Sequence, residues 1–321
     1  MKSTPQQTVD LILELKNQGL SSRQIADALD IGKSTVNDIY NKEIDKFIEA
    51  NIATDEANNA TTSAPRIAIV DVETSAAKVY CFGRFKQNIG QANVYEEGGK
   101  ILVGCWRWLG EDKVYSQYMT PKEIKSGDDS GVVRALYKVY EEADAVVMHN
   151  AKNFDHKVIQ TRGIFNGGGT LPPTKVIDTL EMAKKKLRLP SNRLDSIGAY
   201  FNLGRKQDNS GIQLWADVQE GNKEKMQEMV EYCKQDVNLL HDVYLKLRCL
   251  GHAGTNFNAG HYYDDSKPHC RVCGGEDLVM TEKKVYTAFQ EFNEIVCLSC
   301  GASQRTRLNL TSKEKKELLL S

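Results

Sequence analysis

Apolar positions between residues 5 and 48 recur at helical spacing in short pieces, broken at Gly19 and near Ile31-Gly32, with Ser21 or Ser22 placed to cap a second helix. A three-helix module over 1–48 is expected. Residues 49–64 are poor in large apolar side chains and rich in small polar ones, so they predict a flexible linker. From Arg66 the pattern changes to strand-like apolar runs at Ile67 to Val70, Val79 to Phe85, Ile101 to Leu109 and Val114 to Tyr118. Helical stretches follow at Val132 to Glu142 and Lys223 to Leu247, with short strand candidates at Ala145 to Met148 and Lys175 to Ile177 between them. Strands and helices mixed in this way predict an α/β class with a mixed sheet over 65–250. A Gly-, His- and Asn-rich connector, 251–265, then leads to a cysteine-paired segment, 266–321, with β-type residues Val279, Val285, Tyr286 and Phe289. No internal repeat is evident.

A chain of 321 residues is long enough for several folded units, and 40 % hydrophobic with 26 % charged residues is a globular composition. The formal net charge is −1, so nucleic acid would have to be met by local basic patches. No apolar stretch reaches membrane-spanning length, which argues against a membrane partner. The first residues lack the apolar segment of a secretory signal, so a cytoplasmic location is expected. Four of the eight cysteines, Cys81, Cys105, Cys233 and Cys249, are scattered, while the other four make two close pairs. In that context close pairs point to metal ligation before disulfides.

The strand Ile67 to Val70 runs into Asp71-Val72-Glu73-Thr74, and the period of two places both acids on one face. Taken alone, such a pair also fits solvated or capping groups. The strand Ala145 to Met148 leads into His149-Asn150-Ala151-Lys152-Asn153-Phe154-Asp155, which delivers a third carboxylate from a neighbouring strand end, with Phe154 available to pack beneath it. Asp155 can also start a helix. Within the long helical pattern Tyr232 and Asp236 are four residues apart and share a face, and Asp is a poor helix former to find mid-helix.

Together these residues resemble the DEDD superfamily of 3′-to-5′ exonucleases, whose fold is RNase H-like. The motifs are Asp71-Val72-Glu73-Thr74, His149-Asn150 with Phe154-Asp155, and Tyr232 followed by Asp236. Tyr232 resembles the signature of the tyrosine branch; where the histidine branch expects a His, this chain has Glu231. The segment Leu189 to Ile197 is similar to the one preceding the third motif in proofreading domains and in phage and bacterial RNase H-like nucleases, so the resemblance covers about residues 66–250. It implies an RNase H-like mixed sheet flanked by helices and two Mg²⁺ or Mn²⁺ ions held by Asp71, Glu73, Asp155 and Asp236. Tyr232 would orient the attacking water. Hard divalent ions suit an all-carboxylate set, and two of them can serve nucleophile, phosphate charge and leaving oxygen together. The expected product is nucleoside 5′-monophosphate.

Residues 184–206 carry Lys184, Lys185, Lys186, Arg188, Arg193, Arg205 and Lys206 against Asp195 alone. Such a run is either a solvated face or a track for a phosphate backbone. Asn150, Lys184, Lys185 and Arg193 are the nucleic-acid candidates here. Near the N-terminus, Ala26, Leu29, Ile31, Val36 and Ile39 occupy the buried positions of a helix-turn-helix, and the segment is similar to those of resolvases and small regulators. Asp30 stands at the turn where Gly is usual, and Asp tolerates left-handed geometry. Lys33, Ser34, Thr35 and Asn37 would face a major groove. Residues 1–48 hold six basic and seven acidic side chains, so docking on protein stays open beside DNA contact. At the other end, Cys270-Arg271-Val272-Cys273-Gly274 and Cys297-Leu298-Ser299-Cys300-Gly301 supply four thiolates, which predict one structural Zn²⁺ in a zinc ribbon.

The reading is therefore a small all-α helix-turn-helix domain, an RNase H-like exonuclease domain and a zinc ribbon. Nucleic acid is the expected partner, single-stranded DNA favoured over RNA. Proofreading would need a separate polymerase or another replication or repair protein. Two rivals stay open: a catalytically silent nucleic-acid-binding protein, and a transposase- or integrase-like strand transferase, whose Asp, Asp, Glu set fits Glu73 and Asp236 poorly.

Overall fold

The computed structural model describes residues 6–17, 20, 22–40, 42, 64–83, 85–205 and 211–319. The chain divides into two compact units, Met1–Thr62 and Ser63–Ser321. In the first, α1 (Gln6–Asn17), α2 (Ser22–Leu29) and α3 (33–40) share a small core of Ile12, Ile25, Ala26 and Val36, with Leu29, Ile31 and Ile39 packed against it. Asp30 takes φ +53° in the α2–α3 turn, the left-handed geometry that its short polar side chain tolerates. All of the linker expected at 49–64 except Ala64 lies outside the described residues.

The second unit is built on five strands: β1 (Ile67–Thr74), β4 (Ile101–Trp108), β5 (Val114–Tyr118), β6 (Ala145–Met148) and β7 (Lys175–Asp178). Two short strands, β2 (Lys78–Val79) and β3 (Val94–Glu96), form a separate arm between β1 and β4. The sheet order is β5-β4-β1-β6-β7, antiparallel from β5 to β1 and parallel from β1 to β7. This is the mixed sheet flanked by helices that the sequence predicts, and it is an RNase H-like fold.

Both faces of the sheet are covered, which is why the first half of β1, Ile67–Val70, and all of β6 read as unbroken apolar runs. A Cβ on Gly104 would press on Leu136 of α5 (Ser130–Glu142), whereas its neighbour Cys105 contacts the Val230 carbonyl of α10 (Lys223–Leu247). Successive residues of a strand face opposite ways, so α5 and α10 lie on opposite sides. The remaining helices are α4 (Pro121–Ser126), α6 (Asp155–Phe165), α7 (Thr179–Lys186), α8 (Leu194–Tyr200) and α9 (Ile212–Gln219). Among the described residues no helix is long and apolar enough to cross a membrane.

Two expectations fail here. The strand expected at Val79 to Phe85 stops at Val79, and Phe154 is exposed where it was expected to pack beneath Asp155. Side-chain amides of Asn93 and Gln87 donate to the Tyr80 and Phe85 carbonyls, and the Phe154 N–H donates to the Asn150 carbonyl in the turn before α6, so these backbones follow local bonds in a loop and a cap. Beyond α10, Phe257, Ala259 and Tyr262 tuck into the main core. Then β8 (Leu278–Tyr286), β9 (Glu291–Cys297) and β10 (Ser303–Arg305) make a three-stranded sheet, followed by α11 (Lys313–Glu317).

Candidate active site and metal centres

The crevice at the carboxyl end of β1 arises from register. Pairing of β1 with β6 ends at Ile69, while pairing with β4 continues to Thr74, so the last half of β1 stands open on the β6 side. Open α/β sheets bind ligands at such partings. Asp71 and Glu73 sit on this half, and α10 crosses behind them with Asp236 buried. Carboxylate oxygens of Asp71, Glu73 and Asp236 lie within 4.8 Å of one another. Oxygens sharing one Mg²⁺ sit about 2.1 Å from it, hence at most about 4.2 Å apart, so small side-chain rotations suffice and the donor set fits a hard divalent ion.

Cys233, one turn before Asp236, places its sulfur 3.6 Å from both the backbone and Oδ2 oxygens of Asp71. Burial, the neighbouring Cys105 thiol and the charges of Asp71 and Glu73 push the Cys233 thiol up, so it stays neutral and donates to Asp71. The Tyr232 ring meets the edge of Trp215 at 6.2 Å between centroids, and the Trp215 indole N–H donates to the Thr74 carbonyl at 3.1 Å. Tyr232 is thereby tied to the end of β1, beside the acids.

Asp155 is buried at the first turn of α6 and stands outside the three-acid group. Its loop is held by a residue that sequence reasoning missed. Asp178, buried at the end of β7, accepts backbone N–H groups from Asn150 (2.9 Å), Lys152 (3.3 Å), Leu180 (3.0 Å) and Glu181 (3.4 Å). It caps α7 and pins the β6–α6 loop, including Asn150 at φ +71°. The available signal was an Asp-Thr pair between a strand and a helical run, the mark of an N-cap. His149 adds bonds to Thr179 (2.9 Å) and to the Asn192 carbonyl (3.0 Å).

Asn150, Lys184 and Arg193 line one open cavity of about 880 Å³ together with Asn192, Asp195 and Arg205. Lys185 is exposed but ion-paired with Glu181. Lys206 lies outside the described residues. In the N-terminal unit, Lys33, Ser34 and Thr35 are exposed and Asn37 is half-buried.

The four cysteine sulfurs also gather, with Cys270–Cys300 and Cys273–Cys297 each 3.7 Å apart. Thiolates about 2.3 Å from a tetrahedral Zn²⁺ are separated by about 3.8 Å, so the arrangement matches that ion. Backbone N–H groups of Val272 and Gly275 reach the sulfurs of Cys270 and Cys273 at 3.4 Å, and the Gln304 amide reaches Cys270 at 3.1 Å. Such donors stabilise thiolate and orient the ligands. On the same ribbon a cavity of about 640 Å³ is lined by Arg271, Phe292, Gln304, Arg305 and Arg307.

Residues 93–248 match the RNase H superfamily. No curated protein matches the chain. The matched region is just under half the sequence and contains Asp155, Tyr232 and Asp236, while Asp71 and Glu73 on β1 precede it. An RNase H-like domain implies a nucleic-acid substrate and nuclease or related activity. Members of that superfamily are mostly hydrolases, typically dependent on divalent metal.

Proposed function

We propose that this protein is a metal-dependent 3′-to-5′ exonuclease of the tyrosine type. The observation that carries this reading is the meeting of Asp71, Glu73 and Asp236 across β1 and α10, with Tyr232 one helical turn away. In it, Asp71, Glu73 and Asp236 would hold divalent ions, with Asp155 of α6 as the fourth carboxylate of the set. Bound Mg²⁺ or Mn²⁺ supplies Lewis-acid neutralisation of phosphate charge and hydroxide at neutral pH. The Tyr232 hydroxyl orients the attacking water, and the buried Cys233 thiol holds the Asp71 carboxylate by donating to it. Asn150, Lys184 and Arg193 track the phosphate backbone through the cavity beside the site. The helix-turn-helix and the zinc ribbon are read as flanking nucleic-acid-binding modules.

The test incubates wild type and Asp71→Asn with 5′-labelled and 3′-labelled single-stranded DNA and RNA, with Mg²⁺, with Mn²⁺ and with neither. Expected is metal-dependent release of mononucleotide from the 3′ end by wild type, at least about a hundred-fold slower in the variant. Intact ends under every metal condition, with binding retained, would favour a silent binding protein instead.

A further inference from the structure

The arm between β1 and β4 exposes more aromatic surface than a soluble protein leaves without a use. Phe82 is fully exposed, and Phe85, Tyr80 and Tyr95 keep 83, 71 and 71 % of their surface in solvent. Single exposed apolar residues are ordinary, whereas several on one short arm mark an interaction site. These rings are displayed on a hydrogen-bonded frame. Tyr80 N–H donates to the Asn93 carbonyl (2.9 Å), the Asn93 amide returns to the Tyr80 carbonyl (3.1 Å), and the Gln87 amide holds the Phe85 carbonyl (2.9 Å). Tyr80 and Tyr95 meet edge to face at 5.4 Å between centroids.

Charge and position decide what the arm fits. The arm carries Lys78, Arg84 and Lys86 against Glu96. Lys78 is paired with Glu96 and Glu220, and in the ring-bearing segment 80–95 the charged residues are Arg84 and Lys86, both basic, with Gln87, Asn88 and Gln91 among the rings. Arg84 lies outside the described residues. The root of the arm is fixed to α9. Ala76 and Gln219 exchange two hydrogen bonds (2.9 and 3.0 Å), and Lys78 reaches Glu220 at 2.9 Å. The same helix carries Trp215, which holds Thr74 beside Glu73. From Glu73 to Tyr80 the extended chain spans at most about 25 Å, the reach of a few nucleotides. Bases stack on aromatic faces whatever their sequence, and nearby cations follow the phosphates.

We infer that the arm is a base-stacking platform for single-stranded nucleic acid leading into the acid site, with Phe82 and Phe85 as its principal rings. This rests on the nuclease reading above, since it names how that site takes its substrate. Paired bases have their faces buried in the stack, so the platform selects unpaired strands.

The experiment measures binding by fluorescence anisotropy with zinc-replete protein and no added Mg²⁺ or Mn²⁺. Its probes are oligothymidylate, oligouridylate and an abasic oligomer of equal length. Wild type is expected to bind both base-bearing strands at least about ten-fold more tightly than the abasic one. Phe82→Ala/Phe85→Ala should lose that difference, while Phe82→Trp/Phe85→Trp should keep it and show indole quenching on binding. Binding of thymidylate alone, or of uridylate alone, assigns the platform to DNA or RNA. An alanine variant that keeps the full preference for base-bearing strands overturns the inference and leaves the arm as a protein-docking surface. Base-dependent binding without any metal-dependent hydrolysis would sink the nuclease reading and leave the platform standing. Hydrolysis with no preference for bases does the reverse.

Discussion

Tyr232 is held by Trp215 against the end of β1, and its contribution is separable from that of the acids. A phenol is a weak acid, so in the proposed reaction Tyr232 would position water and leave nucleophile generation to the ions. Tyr232→Phe should therefore lower kcat about 10- to 100-fold with KM and metal requirement unchanged, measured under the assay above. Asp129 carries a structural charge of comparable consequence. Completely buried, it accepts from the Ile101 N–H (2.9 Å), twice from Arg162 (2.7 Å each) and from Asn166 (2.8 Å). Burial alone would raise this carboxyl, but the Arg162, Asn166 and Ile101 donors outweigh it and hold it below its ordinary value. Its stabilising effect is thus complete above about pH 4 and is lost as acid carries the pH down through the folded value. Asp129→Ala should cost about 3 kcal/mol in urea unfolding at pH 7, because Arg162 is left uncompensated, and the gap from wild type should shrink near pH 3. The burial of Asp129 and Asp178 was not legible in the sequence, although the N-cap position of Asp178 was. A buried acid satisfied by side-chain or backbone donors has the same letter and the same place before a helix as a solvated one. The meeting of Asp71, Glu73 and Asp236, with Tyr232 on the same helix as Asp236, was legible because the strand and helix periods restrict which side chains share a face.

Among the elements, long periodic ones were readable and short irregular ones were not. The α10 pattern predicts Lys223 to Leu247, and the helix has those bounds. By contrast, α7, α8 and α9 have only seven or eight residues each, too few for a period to declare itself. The arm misled for another reason, since β-type residues there serve display and not burial. Packing between elements is tight where α5 meets α6. A Cβ on Gly163 would collide with the Tyr137 phenol, whose hydroxyl donates to the Gly169 carbonyl at 2.9 Å. Gly163→Ala gains helix propensity of about 1 kcal/mol, but overpacking and the displaced Tyr137 outweigh it. A net loss of about 1–2 kcal/mol is expected in chemical denaturation. Tyr137→Ala should turn the same glycine substitution from harmful to helpful, which a double-mutant cycle would detect.

At the scale of the whole molecule, the ribbon and the sheet domain draw on different sources of stability. Among the described residues the ribbon's buried hydrophobic set is small, Cys270, Val272, Phe292, Cys297 and Ala302, whereas the main core runs through β1, β4, β6 and α10. On the zinc-ribbon reading, a cluster that small would need an ion on the four cysteines to hold three strands. Cys297→Ser should release zinc, measured by a colorimetric chelator, and make residues beyond about 266 sensitive to protease. The main thermal transition should remain. Persistence of a protease-resistant ribbon in the zinc-free protein would show that its fold rests on something besides metal.

The placement of α10 also has a consequence for synthesis. It is the last large piece of the core and it brings the final acid, from a point in the chain far beyond the strand that carries the first two. On the ribosome, β1 emerges early and waits. A nascent or truncated chain that ends before this helix lacks both the packing that closes the sheet and the third carboxylate. Completion of the core and assembly of the three-acid group are then a single event, so on the proposed nuclease reading a half-made product would have no centre with which to cut the nucleic acids around it.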